Sequence, residues 1–378
     1  MLSYWEKQSL LQYDYIIAGS GIVGLSAAIS LREREPAARV LVLEREVLPT
    51  GASTKNAGFA CIGSLTEILA DLQTMPAEAV LELVAMRRAG LQLLRRRLGD
   101  DRIGYRENGS YELIGAREEW ALHQLDEVNR MLAGILGETP AFSLATHKIA
   151  PFGFAPGHVK AMVSNNHEGE LHTGKMMRAL IDKTIAMGVE IKTGCPVTRI
   201  EDLRSGVNVM VTHHLLKEEV VFRARKLLVC TNAFTRQLLP ELEVTPGRGQ
   251  VLITGPIPGL PFKGIFHLEE GYFYFRELDG RVLLGGGRQL DFSGETSTEF
   301  RYNDRIQHEL EEMLRHLILP GRPFTIADRW TGIMAFGSTK QPIVRAHSGN
   351  IILGVRMGGM GVAIGSLIGD KIAAMALQ

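Results

Sequence analysis

The stretch Tyr15-Ile-Ile-Ala-Gly19-Ser-Gly21-Ile-Val-Gly24 limits the fold more than any other part of this chain. It reads as a buried strand, a glycine turn and a helix that begins near Ile22. Gly19 permits the tight turn, Gly21 lets backbone approach a pyrophosphate, and Gly24 lets helix pack closely on strand. The N–H groups at the helix start then face the phosphate charge. This spacing alone also fits a strand-turn-helix with no ligand. Leu41-Val-Leu-Glu44 favours the nucleotide, because it reads as a second strand ending in an acid. Glu44 lies 25 residues beyond Gly19, near the roughly 20-residue spacing of a ribose-binding carboxylate.

At 378 residues the chain is longer than one hydrophobic core usually supports, which predicts two domains. Lys plus Arg number 42 and Asp plus Glu number 42, and that zero balance argues against nucleic acid or an acidic membrane surface as partner. Cys61, Cys195 and Cys230 form no CxxC pair. Disulfide scaffolding and structural zinc are therefore not expected, and a reducing compartment fits. Tyr15 to Leu31 could imitate a membrane segment, but its 17 residues sit at the lower limit for a span and carry three glycines at turn spacing. No positive segment precedes it, so no signal peptide or membrane span is predicted and a cytoplasmic location is expected.

The first strand-turn-helix runs from about 13 to 34, with the second strand at 40–44. Apolar residues recur at helical spacing from Pro76 to Leu98, with Arg87, Arg88 and Arg95 to Arg97 read as a solvated face. A helix is expected over 173–187. Strands are expected near 189–192, 195–200, 208–212, 220–223 and 227–230. From Thr245 to Gly286 aromatic and polar residues alternate, and 271–276 and 281–285 read as a hairpin around Leu278-Asp-Gly280. A helix over 303–316, a strand over 351–353 and a helix from about 362 to 376 complete the chain. The fold class expected is α/β (α+β overall): a Rossmann-like nucleotide domain with a second domain built on an antiparallel or mixed sheet. The first domain would be discontinuous, from 1–100, 160–245 and 328–378. The second would take 101–159 and 246–327.

Two more segments carry chemistry. Gly354-Val-Arg-Met-Gly358-Gly359-Met-Gly361 precedes a helix that continues with Gly365 and Gly369. Clustered glycines mean backbone conformations or approaches that side chains would block. The four-residue spacing of Gly361, Gly365 and Gly369 puts them on one helix face for close packing. A helix N-terminus carries about +0.5 charge; pointed at a flavin ring it favours the anionic reduced form, and Arg356 could add a full charge. A glycine-rich turn on a sheet is the equal alternative. The loop Gly51-Ala-Ser53-Thr54-Lys55-Asn56-Ala57-Gly58 offers donors to a phosphate or a flavin edge, the alternative being a solvated turn. His167-Glu-Gly-Glu-Leu-His172 nearly matches HExxH, but i and i+5 do not share a helix face, so no zinc site is expected.

In order along the chain stand the glycine turn at 19–24, the 51–58 loop, Cys230-Thr-Asn-Ala-Phe, Pro246-Gly-Arg-Gly-Gln250, Trp330-Thr-Gly332 and Gly354 to Val362. This ordered set resembles the FAD-dependent D-amino acid oxidase, glycine oxidase and sarcosine oxidase family over nearly the whole chain. The resemblance implies non-covalent FAD and oxidation of a C–N bond by hydride transfer to the flavin. It implies that Gly19, Ser20, Gly21, Ile22, Val23 and Gly24 hold the pyrophosphate. Glu44 would hold the ribose, with Arg45 in the same cofactor-binding set. Ser53 to Gly58 would line the flavin, and Val197 would meet adenine through its backbone. Cys230, Thr231 and Asn232 stand where the family often has Thr-Gly, which makes that match looser. Gly332, Arg356, Gly358, Gly359, Met360, Gly361 and Val362 would complete the cofactor site. Tyr272 falls where relatives place a tyrosine that binds substrate carboxylate. Tyr274 shares its sheet face, and both could equally be core aromatics. Tyr272, Tyr274 and Arg276 are the expected catalytic residues.

The departures concern the substrate. Two residues beyond Gly332, where relatives carry a carboxylate-clamping arginine, stands Met334. Either another cation (Arg276, Arg288, Arg248 or Lys55) does that work, or the substrate lacks that carboxylate. Leu283 or Leu284 stands where sarcosine-type oxidases carry the lysine that activates oxygen. The expected function is therefore FAD-dependent oxidation of an amine or amino acid to an imine, with oxygen or another electron acceptor. The alternative is a dehydrogenase of a 2-hydroxy acid or amine that passes electrons to a quinone. A nucleotide-binding protein without catalysis is the third reading.

Overall fold

The computed structural model describes residues 2–137, 139–155, 157–212 and 218–378. The strand Gln12–Ala18 lies inside the first of two eight-stranded sheets, whose main path by residue runs 343–346, 351–355, 219–229, 12–18, 40–43, 190–192. The last five are parallel and 343–346 is antiparallel. Both faces are covered, which is why Val40–Leu43 is apolar at every position and wholly buried. Alternation sorts the side chains. Ile16, Leu41, Leu227 and Leu353 enter a core with Val207 and Val209, while Ile17, Val42, Leu228 and Ile352 meet Ile364, Ile368 and Ile372. Each such aliphatic contributes about 1.5–3 kcal/mol by leaving water.

The strands expected at 220–223 and 227–230 are one strand, Glu219–Val229. Its first half pairs antiparallel with Gly206–Thr212 and its second half parallel with Gln12–Ala18. Arg223 and Arg225 break the apolar run in sequence, but here they face out beside a neighbour that ends, while Ala224 between them stays in the core. The helix Gly361–Ala376 packs on Ile22–Arg34. A Cβ at Gly365 would come within 2.7 Å of Ile22 Cγ2, and one at Gly369 within 2.6 Å of the Val23 carbonyl oxygen. Gly361 does not share that role, since its Cβ would meet only Met357 at 3.6 Å.

The helix expected from Pro76 is Ala77–Leu98, but Arg87 is not on a solvated face. It is 2% exposed, donates to the Ile62 carbonyl at 2.8 Å and pairs with Glu67 at 3.3 Å. A helix over Leu65–Thr74, capped by Ser64, covers that side of the molecule.

The second sheet runs 326–336, 245–254, 281–286, 273–278, 265–268, 110–114, 161–165, 142–144. It is mixed, because 265–268 and 110–114 run parallel while the other neighbours are antiparallel. Residues 161–165 and 326–336 thus pair in this sheet, beyond the boundaries expected at 160 and 328. The hairpin turns at Asp279 and Gly280, both at positive φ (50° and 74°), the pair that matches strand twist. One face of the sheet packs Phe266 and Phe275, stacked at 4.5 Å, against the Asp304–Met313 helix. The other face looks toward the first sheet. The segment His167 to His172 is a turn, a two-residue strand and a helix cap, and no residue cluster fit for a metal occurs among the described residues. No described helix is long and apolar enough to cross a membrane.

Candidate active site

Between the sheets lies a cavity of about 840 Å³ that begins at the glycine turn and ends at the second sheet. Its first wall is backbone. Gly19 has φ +106°, and a Cβ there would come within 2.7 Å of the Cys230 carbonyl oxygen. A Cβ on Gly24 would come within 1.9 Å of the Gly19 carbonyl oxygen, so the turn closes only without one. The helix that follows has no side-chain cap of its own at Gly21. Ser53 Oγ instead accepts the Ile22 N–H at 3.0 Å, which ties the 51–58 loop to the helix start. The other leading N–H groups of a helix lack intrahelical partners.

Glu44 is buried in the same wall. Its Oε2 accepts from the Ser20 N–H at 3.2 Å and from Ser20 Oγ at 2.5 Å. Beyond it Arg45 lies over the Phe234 ring at 3.6 Å, and Val197 lines the same end. Asn232 explains its own departure from glycine. It sits at φ +45°, a region asparagine tolerates, and its Oδ1 accepts the N–H groups of Arg356 and Met357 at 3.1 and 3.3 Å. That bond anchors the C-terminal loop, where Gly358 and Gly359 hold φ of +58° and +85°. Gly358 to Val362, Thr231, Cys230 and Gly332 all line the cavity.

Five expected site residues lie outside it. Gly24 works behind the turn. Thr54 donates to the Pro49 and Gly51 carbonyls, and Gly58, at φ +78°, packs against the Leu171 carbonyl. Arg356 turns away, donating to the Gln341 carbonyl and pairing with Glu243 at 3.1 Å, so it adds no charge to the cavity. Arg276 is 4% exposed and spends its guanidinium on the Leu171 carbonyl at 2.8 Å, the Ala57 and Gly58 carbonyls at 3.3 Å and Glu170 at 3.4 Å. It pins the 51–58 loop and is not available to a ligand. Asn56 lines the cavity but uses its amide on Ser53 and its Oδ1 on the Gly58 N–H.

The second wall belongs to the mixed sheet. Tyr272 and Tyr274 both line it. Tyr274 lies edge-on to Phe59 at 5.4 Å, and burial pushes its phenol up to about 12. In Pro246-Gly-Arg-Gly-Gln250 alternation separates two faces. Arg248 and Gln250 point behind the sheet to Glu295, at 2.8 and 2.9 Å. Gly247 and Gly249 leave a bare strip on the cavity face. Met334 fills the space over Gly249, where a Cβ would come within 3.1 Å of its Cε. Phe336 and Arg288 together fill the space over Gly247, where a Cβ would meet the Phe336 ring first and then Arg288 Nε at 2.9 Å. Since Gly247 pairs with Met334 across the sheet, Arg288 stands beside the methionine. Its guanidinium lies 4.2 Å from the Phe336 ring centre and 5.1 Å from that of Phe292, it makes no ion pair among the described residues, and its Nε has no partner there. Burial pulls its pKa below the ordinary guanidinium value, against Tyr272 and Glu295, which pull it up.

A charged cluster missing from the sequence reading completes the wall. Lys340 reaches Asp71 at 2.7 Å and Glu67 at 3.1 Å. Desolvation would raise Glu67, but Lys340 and Arg87 bring it down to about 2. The signal was Ser64-Leu-Thr-Glu67, a capping pattern that starts a helix and puts Glu67 and Asp71 on one face.

The family profile for FAD-dependent oxidoreductases matches residues 14–375. The chain belongs to that family. No curated protein matches it. Among solved structures, this oxidoreductase is similar to glycine oxidase from Geobacillus kaustophilus (TM-score 0.78, 20% identity, 97% of this chain and 95% of that one). It is also similar to L-proline dehydrogenase from P. horikoshii (0.78, 15%, 97% and 93%) and to iminodiacetate oxidase from Chelativorans sp. BNC1 (0.73, 20%, 96% and 95%). At these identities the likeness concerns the fold. The oxidoreductase's own residues fit FAD: a glycine turn that any Cβ would block, a helix start beside it, a buried acid at the second strand and a glycine loop at the far end of one continuous cavity.

Proposed function

We propose that this FAD-dependent oxidoreductase oxidises the C–N bond of an amino acid whose carboxylate is held by Arg288 and Tyr272. The observation that carries the reading is the unpaired guanidinium of Arg288 in the cavity wall, next to Met334. Half-buried, the Arg288 guanidinium has given up part of its hydration with no anion in return, and a ligand carboxylate would replace it. A planar guanidinium binds a carboxylate through two parallel N–H···O bonds. Stacking on Phe336 holds it ready for that geometry. Lys55 also lines the cavity with no ion pair among the described residues, but an ammonium offers no such fork.

In this reading Gly19 to Val23 and Glu44 hold the dinucleotide end of FAD, while Ser53, Lys55 and Gly358 to Val362 lie along its flavin end. Bound FAD supplies the acceptor for the substrate's hydride. Tyr274, Phe59 and Met334 exclude water on the substrate side, which favours the neutral amine. The similar proteins named glycine oxidase, L-proline dehydrogenase and iminodiacetate oxidase support a substrate carrying both an amine and a carboxylate. Leu283, buried beside Val251, supports an acceptor other than oxygen. Three free cysteines support a reducing, cytoplasmic setting.

The test is anaerobic mixing of the FAD-loaded protein with glycine, sarcosine, proline, larger amino acids, their decarboxylated amines and 2-hydroxy acids. Bleaching of the yellow flavin by an amino acid, and not by its amine, is expected. Bleaching by amines or 2-hydroxy acids alone would overturn the reading. Oxygen uptake against dye reduction then identifies the acceptor.

A further inference from the structure

Behind the substrate wall lies a second polar cluster that neither substrate nor cofactor explains. His267, on the strand Ile265–Leu268, lines the main cavity and is 7% exposed. Its ring stands edge-on to Phe59 at 5.2 Å. Its Nε2 is buried and has no hydrogen-bond partner. That nitrogen points away from the cavity toward Glu168 Oε2, 3.9 Å off, too far for a direct bond. A void of about 10 Å³ adjoins both side chains, walled by Phe142, Val163 and Tyr111 as well as by Glu112, Ser64, Ser110 and Asn165, and so small and apolar a space leaves the imidazole and the carboxylate facing each other directly.

Glu168 is held in place. Its Oε1 accepts the Ile62 and Gly63 N–H groups at 2.6 and 2.9 Å, and its Oε2 accepts from Ser110 Oγ at 2.6 Å. Among the described residues no lysine or arginine pairs with it. A buried histidine kept for packing normally has its ring nitrogens satisfied. This one leaves the nitrogen nearest a carboxylate open.

We propose that His267 and Glu168 form a proton relay that takes a proton from the substrate ammonium in the main cavity to a buried carboxylate. The inference rests on the amine-oxidation reading above. The step is a transfer alone: the ammonium loses one N–H proton and keeps the electron pair. The imidazole gains that proton on its cavity side and releases one from Nε2 to Glu168 once side-chain movement closes the 3.9 Å gap. Glu168 changes from carboxylate to carboxylic acid. The need is physical. An ammonium with a pKa of about 10.4 is neutral in roughly one molecule per 2,500 at pH 7, and only the neutral amine releases hydride.

The surroundings suit the task. Burial pulls His267 down to about 4, so it is a neutral shuttle. Burial raises Glu168 to about 7, against the pull of Ser110 and the two N–H groups, so it can hold or release a proton near neutrality. The charged and titratable neighbours are Glu67, Arg87 and Lys340, which balance with Asp71, together with Glu112, Cys61 and Tyr274. Glu112 is also raised to about 7 by burial, but its carboxylate serves Ser64 and Thr66 at the start of the Leu65–Thr74 helix.

The test uses the FAD-loaded protein, Glu168→Gln and His267→Asn, with FAD affinity confirming the fold of each. Infrared difference spectra should show protonated-carboxyl absorption titrating near neutral pH, and Glu168→Gln should lose one component. The rate of anaerobic flavin reduction should fall at least tenfold at pH 7 in both variants. Its rising pH limb should move from near 7 toward the pKa of the free amine. Variants that bind FAD and keep the wild-type pH limb would overturn the relay, as would an unchanged carboxyl signal in Glu168→Gln. Failure of the underlying reading shows earlier and differently: the wild-type flavin is then bleached by no amine, and the relay falls with it.

Discussion

Replacing Arg288 by methionine should cost the enzyme its carboxylate and little else. A charge-assisted hydrogen bond contributes about 1.5–3 kcal/mol, and a bidentate pair has two. In the free protein the guanidinium already lies on Phe336 and is only half-buried, so part of that gain is cancelled. A net loss of about 2–4 kcal/mol remains, which is roughly a 30- to 1,000-fold fall in kcat/KM. The loss should appear for amino acids and vanish for the matching decarboxylated amines, because only the former carry the group that arginine reads. Met334 and Arg288 are neighbours across Gly247, so a second variant sharpens the test. Adding Met334→Arg to Arg288→Met returns a guanidinium to the same wall from the adjacent strand, and at least tenfold of the loss should be recovered. The assay is stopped-flow flavin reduction across the two substrate series. Equal losses on amino acids and amines, or no loss on either, would refute the assignment of Arg288.

Three further outcomes follow from the packing and the buried charges. Gly369→Ala should lower stability by about 1–3 kcal/mol, since its methyl would overlap the Val23 carbonyl and the Ala27 N–H, and thermal melts will show it. Arg276→Met should weaken FAD binding far more than substrate binding, because it unpins Ala57 and Gly58 and strands Glu170; fluorescence titration of FAD separates the two effects. Glu67, held at about 2 against an ordinary 4.5, adds stability that is full above pH 4.5 and is lost as pH falls toward 2. Lys340→Met should therefore start acid unfolding at higher pH, which circular dichroism against pH will measure.

Much of the fold was legible because it rests on patterns the chain writes locally. The apolar run before Gly19, the acid at 44 and the hairpin turn at Asp279-Gly280 each fix a backbone conformation from a few adjacent residues. The errors arose where a distant partner decides. Glu219–Val229 reads as two strands because its polar middle is exposed, and only the change of neighbour from 206–212 to 12–18 makes it one. Arg87 sits on a helix whose Arg96 does face water, and nothing within that helix marks Arg87 as drawn inward by Glu67 and the Ile62 carbonyl, or Arg97, its side chain 8% exposed, as drawn to Glu33 and Asp370. Arg276 looked like a substrate ligand because its strand carries Tyr272 and Tyr274. Its rotamer instead follows three carbonyls from two remote loops.

The cofactor end and the substrate end differ in legibility for a reason of their own. A dinucleotide is held largely by backbone, and the sequence records that as glycines whose absent Cβ atoms cannot be supplied from elsewhere: at Gly24 a Cβ would lie 1.9 Å from the Gly19 carbonyl oxygen. A carboxylate is held by charge at a point in space, and several strands of one sheet can deliver it. Strand register puts Met334 opposite Gly247, and the cation that reaches over Gly247, beside the Phe336 ring, is Arg288, forty-six positions earlier in the chain (334 − 288). The bare glycine strip at 247 and 249 makes that substitution possible, because it lets a long side chain from 281–288 lie flat across the neighbouring strand. A missing arginine at one register position therefore does not imply a missing charge. The question that decides substrate class is which cation in the wall remains unpaired once every carboxylate and carbonyl has taken its partner.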